Sequence, residues 1–238
     1  MGIMSLARKH FERTRTEREA AGVAPVQGGV TGAALTSARM PQGDRMLITL
    51  RSHKAALKGI QSRKSKADAK REYLPEYEAY VDGVLAADNG GQDTVFVTVM
   101  LWRIDAGQYS GAMDLAAYAI RHGLAMPEGF NRDLATTVVE ELADHALALD
   151  GGDHADLRDA IDFALDLVAN TDMPDEVRAK GTKALGSLLQ DTDPERAAEL
   201  WTYALELDPK CGVKGQLERL RKSLNAAATT DTAGTSGT

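Results

Sequence analysis

Cysteine is nearly missing from this chain: Cys211 stands alone among 238 residues. A single thiol excludes a disulfide framework, and without paired cysteines there is no zinc-type ligand set, which predicts a reducing, cytoplasmic setting. Long apolar runs are also absent. The longest candidate, Thr94–Trp102, is under half the roughly 20 residues that a membrane span needs, so no membrane partner is expected. Met1–His10 is basic but lacks an apolar signal core, which predicts a protein that is not secreted. No glycine-rich phosphate loop of the Walker type occurs, which argues against ATP hydrolysis, and there is no nucleophile elbow. No alternating strand pattern with hairpin turns appears anywhere. No cofactor is implied.

What is present is a strong polarity of charge. Met1–Glu72 carries 15 basic against 6 acidic side chains, a net of +9, while the remaining residues carry 13 against 29, a net of −16. The whole-chain net of −7 conceals a basic arm on an acidic body. One end of such a chain is built to meet a polyanion. The competing reading is a basic strip that only neutralises the chain's own acidic body.

The pattern of residues predicts an all-α protein. Ser5–Gly22 reads as a charged helix capped by Ser5 and stopped by Gly22. A Gly, Ala, Pro, Ser and Thr-rich stretch, Ala21–Asp44, follows as a flexible linker, so residues 1–43 form a basic helix and tether. Met46, Leu50, His53, Leu57 and Ile60 then recur at spacings of 4, 3, 4 and 3, the heptad seam of a coiled coil. Pro75 interrupts, and Tyr77, Val81, Val84 and Leu85 give a second stripe that ends at the turn Asp88–Asp93. Residues 44–92 are thus expected to form a coiled-coil-like helical hairpin. Its seam is too thin to be self-sufficient, so Met46, Leu50, His53, Leu57 and Ile60 become the expected oligomer interface.

Beyond the turn lies the acidic helical body, residues 93–224. Phe96, Val97, Met100, Leu101 and Ile104 favour a buried helix over a strand. Helices are expected over Tyr109–His122, Arg132–Asp150, Ala155–Asn170, Asp175–Gln190, Pro194–Leu207 and Val213–Leu224, and residues 225–238 read as a disordered tail. Pro194–Pro209 resembles a tetratricopeptide-type helix and Ala106–Leu124 the first helix of such a pair. No repeat of about 34 residues holds, which leaves local helix-pair packing. Trp102 and Trp201 sit on apolar faces and are expected in the core.

The basic arm is the strongest functional signal. Arg51, Lys54, Lys58, Arg63, Lys64, Lys66, Lys70 and Arg71 stand at helical spacing and can track phosphates, as can Arg8, Lys9, Arg13, Arg15 and Arg18 in the first helix. Such contacts give affinity and salt sensitivity rather than sequence choice. Aromatic residues are nearly absent from Arg51–Arg71, which favours duplex over a single-strand stacking platform. A metal-dependent nuclease would need converging carboxylates. Glu141, Asp144 and His145 on one predicted helix, with Glu140 beside them and Asp150, Asp153 and His154 following, are the candidates, although acidic residues on a helix face are usually only solvated. The "PDEVRAK" of Pro174–Lys180 echoes a nuclease Asp–Glu–Lys set at the wrong spacing. The amphipathic end Val213, Leu217, Leu220 and Leu224 either docks on a partner or caps the body.

The sequence resembles the small terminase subunit, also called the terminase endonuclease subunit, of tailed phages of the Peduovirus kind. The matching segments are "SLARKHFERTR", "KSKADAKREYLPEYEAYVDGVL", "RAAELWTYALELDPKCGVKGQLERLRKSL" and above all "VMLWRIDAGQYSGAMDLAAYAIRHGLAMPEGFNRDLATTVVEELAD". The resemblance covers most of Ser5–Leu224. It implies a role in genome packaging within the host cytoplasm: a ring-like homo-oligomer that binds double-stranded viral DNA at the cohesive-end site. It also implies delivery of that DNA to a large terminase subunit that holds the ATPase and, in most terminases, the nuclease; the amphipathic Val213, Leu217, Leu220 and Leu224 are then the expected large-subunit contact. Two alternatives stay open, a chain that cuts the cohesive-end site itself and a scaffold protein without DNA affinity.

Overall fold

The computed structural model describes residues 41–149 and 154–234, and among them every regular element is a helix. The Ser5–Gly22 helix and most of the following linker lie outside the described residues. The chain divides into two compact units, one up to Leu134 and one from Ala135 onward.

The first unit is organised around one helix that is buried on all sides. It contains α1 (Gln42–Lys58), α2 (Arg63–Tyr73), a 3-10 turn (Leu74–Tyr77), α3 (Glu78–Ala87), α4 (Thr94–Asp105) and α5 (Tyr109–Arg121). Every residue from Val95 to Ile104 in α4 is buried, as its unbroken apolar run requires. Asp93 starts α4 by accepting the Phe96 N–H at 2.9 Å, and its other oxygen accepts from the Tyr80 hydroxyl at 2.5 Å. Helices α1, α2 and α5 and the 3-10 turn all pack on α4. Pro75 does not break the chain direction outright: it sits in the first turn of the 3-10 segment, where its missing N–H costs nothing, and α3 follows at once.

The expected turn at Asp88–Asp93 is present. Asp88 ends α3 in the left-handed region at φ 46°, and Gly90 has φ +67°. A Cβ on Gly90 would fall 2.4 Å from His122 Nδ1, so only glycine fits this close approach.

The second unit carries α6 (Leu134–Leu147), α7 (Ala155–Leu167), α8 (Asp175–Leu189), α9 (Pro194–Leu207) and α10 (Lys214–Gly234). Successive helices from α7 to α10 pack on one another, which is the local helix-pair packing read from the sequence. Gly186 on α8 lets α9 approach closely: a Cβ there would stand 2.7 Å from the Trp201 ring, whose Nε1 donates to the Lys183 carbonyl at 3.1 Å. Trp102 and Trp201 are both core residues, at 5 % and 1 % exposure. One end differs from expectation. Helix α10 does not stop at Leu224 but runs on to Gly234, through an alanine run of high intrinsic helix propensity.

Candidate nucleic-acid interface

The basic side chains of α1 and α2 divide into two sets. Lys54, Lys70 and Arg71 turn inward onto α4 and the residues just after it. Lys54 Nζ donates to Thr98 Oγ1 at 3.4 Å, and burial holds its pKa below the ordinary lysine value. Lys70 pairs with Asp105. Arg71 donates to the Ala106 carbonyl at 2.7 Å and to Asp68 at 2.8 Å. These three fasten α1 and α2 to α4.

The second set faces out. Arg51, Lys58, Arg63 and Arg45 are exposed and Lys66 half-buried, and none of these side chains has a hydrogen bond or ion pair among the described residues. Lys64 is 89 % exposed and reaches Asp68 at 3.3 Å, a contact that, with Arg71, holds the Asp68 carboxyl below its usual range. Ser62 caps α2 through the Ser65 N–H at 3.2 Å, yet the first turn of α2 has no acidic residue and carries Arg63, Lys64 and Lys66 instead. Cations at a helix N-terminus oppose the macrodipole, so helix stability does not account for them. Arg8, Lys9, Arg13, Arg15 and Arg18 lie outside the described residues.

The heptad seam is turned inward as well. Leu50 and Leu57 are 1 % and 7 % exposed within the chain itself, while Met46 and Ile60 are half-buried. His53 stacks on Tyr73 with ring centroids 3.9 Å apart and shares a 2.8 Å hydrogen bond between Nδ1 and the Tyr77 hydroxyl. Trp102 of α4 completes this aromatic group, edge-on to Tyr77. The stripe that looks too thin for self-sufficiency is therefore covered by α4 and the 3-10 turn. Any interface between copies has to use other surfaces or the exposed parts of Met46 and Ile60.

On α6 the candidate carboxylates are engaged with a cation. Lys180 of α8 stands 2.6 Å from Asp144 and 3.8 Å from Glu140, so the lysine of "PDEVRAK" is brought to the acidic helix after all. Glu141 and His145 are half-buried on the same helix. Among the described residues no three His, Cys, Asp or Glu side chains are placed to hold a metal ion together. Asp150 and Asp153 fall outside the described residues. At the other end, Val213 and Leu217 are buried with Ala198 and Trp201, and Leu220 and Leu224 pack on that cluster. Among the described helices none is long and apolar enough to cross a membrane.

A family model described as the phage small terminase subunit matches residues 47–176, more than half of the chain. The chain belongs to that family. The terminase, endonuclease subunit of Escherichia phage P2 is 41 % identical over 183 residues, covering 76 % of this chain and 74 % of that protein. The probable terminase, endonuclease subunit of Haemophilus phage HP1 is 25 % identical over 197 residues, covering 76 % and 70 %. No solved structure matches. The small-terminase match spans α1 through α7 and reaches the first turn of α8. It therefore takes in nearly all of the outward cations and the acidic helix α6 alike.

Proposed function

We propose that this member of the small terminase family, which serves phage genome packaging, binds double-stranded viral DNA at the cohesive-end packaging site. It hands that DNA to the large terminase subunit, in the host cytoplasm, for cutting and packaging. The observation that carries the reading is the set Arg51, Lys58, Arg63 and Lys66, which have no partner among the described residues, on helices where Lys70 pairs with Asp105 and Arg71 with Asp68. Cations without counter-charge are a footprint for a polyanion, and a duplex supplies phosphates at regular spacing. A ring-like homo-oligomer would repeat these cations around the DNA, and with Leu50 and Leu57 buried its contacts would lie elsewhere. The body's exposed acidic residues would repel a duplex.

The test is a salt titration of duplex binding by the full chain. Replacing Arg51, Lys58, Arg63 and Lys66 with Ala is expected to weaken binding to any duplex and to flatten the plot of log K against log salt by about 0.9 per lost phosphate contact. An unchanged slope would sink the reading. Self-cutting is the second reading, favoured by the word "endonuclease" in both relatives' names. It requires magnesium-dependent cleavage by the isolated chain that Glu141→Ala or Asp144→Ala abolishes. In the proposed division of labour the chain alone leaves the duplex intact.

A further inference from the structure

Helix α1 buries one side only, through Leu50 and Leu57, and the arrangement of its outer side is specific. At about 100° per residue, Ile48 and Ala55 fall on one outward line, with Arg51 and Lys58 roughly 50–70° to one side and Ser52 and Arg45 roughly 50–70° to the other. Ile48 is 54 % exposed, and Ser52 and Ala55 are exposed as well. A strip of Ile48 and Ala55, widened on one side by Ser52, is thus bordered by Arg51 and Lys58 on one flank and by Arg45 at the N-terminal end of the other.

That order of groups matches the cross-section of a major groove. A helix lying there has base edges beneath its central line and a phosphate backbone on each side. At 17 residues α1 is long enough to cross the groove, and small side chains at Ser52 and Ala55 permit close approach. An aliphatic side chain such as Ile48 suits a thymine methyl, and a serine hydroxyl suits either an acceptor or a donor edge. Asp44, the one acidic residue of α1, lies near the same line, where a carboxylate can accept from the amino group of cytosine or adenine.

We propose that α1 enters the major groove and reads sequence with Ile48, Ser52 and Ala55, while Arg45, Arg51 and Lys58 hold the flanking phosphates. This rests on the DNA-binding reading above and adds the element that gives the choice of site. Phosphate contacts alone carry no sequence information, and base-edge contacts from such a strip would supply it.

The experiment compares full-chain binding to three duplexes of one length: the cohesive-end site, a shuffled sequence of equal composition, and the site with every thymine replaced by uracil, which removes only major-groove methyls. Wild type is expected to prefer the site. Ile48→Ala and Ser52→Ala should each reduce that preference on the order of tenfold while leaving affinity for the shuffled duplex unchanged. Arg51→Ala with Lys58→Ala should weaken both duplexes equally. Uracil replacement should weaken wild type and have no effect on Ile48→Ala. The inference is overturned if wild type shows no preference, if both substitutions leave the preference intact, or if uracil is tolerated by wild type. Failure of the broader reading looks different: no duplex would then bind at any salt concentration.

Discussion

Leu50→Ala separates two accounts of the same side chain. As a position in an open heptad seam, Leu50 would be covered by a second copy, and its truncation would lower mass in solution while each chain stayed folded. In the structure it is 1 % exposed inside its own unit, against α4. Truncating a fully buried leucine costs about 3 kcal/mol through lost transfer energy and the cavity left behind. For a unit of the order of 100 residues, each kcal/mol moves the midpoint by roughly 4–8 °C, so a fall of about 12–24 °C is expected in the transition of the first unit. The assay pairs circular-dichroism melting with light scattering at the same protein concentration. A large drop in melting temperature at unchanged mass supports the buried position. A wild-type melting curve with reduced mass would refute it and return Leu50 to an interface between copies.

Two further outcomes follow from the packing of the first unit. Lys70→Ala breaks the pair with Asp105 and should lower stability by about 1–2 kcal/mol, yet leave the salt slope of duplex binding unchanged, measured by melting and by salt titration respectively. Burial, foremost, raises the pKa of both Tyr77 and Tyr80 above the ordinary 10.0, so their contribution to stability is whole below about pH 10 and is lost as pH rises beyond it; chemical denaturation across alkaline pH should show that decline, and Tyr77→Phe should flatten it.

Most of the helical architecture was legible in the chain because helices announce themselves locally. The 3–4 spacing of Phe96, Met100 and Ile104 marks α4, and Pro194 and Asp208 bracket α9 with its observed ends. Alanine after Leu224 prolonged a helix where low complexity suggested disorder. The candidate site was legible only in outline. A run of lysines and arginines does not say which way each one turns: Lys54 and Lys58 are one helical turn apart, and one meets Thr98 while the other meets solvent. That difference depends on α4, which is more than forty residues away in the chain at Thr98. The same distance hid the cover over the heptad seam, since spacing within α1 predicts an apolar stripe and not its partner. Lys180 beside Asp144 is a third case, because helix packing brings together residues that no linear motif relates.

The burial of α4 from Val95 to Ile104 also governs how the unit can open. Its amides have no route to solvent while α1, α2 and α5 stay in place, so their hydrogen exchange should proceed only through opening of the whole unit. Lifting α1 alone would expose Leu50 and part the stacked rings of His53 and Tyr73. The outward cations are therefore carried on a preorganised surface, whose ordering entropy is already spent before any polyanion arrives, rather than on a helix that must condense upon contact.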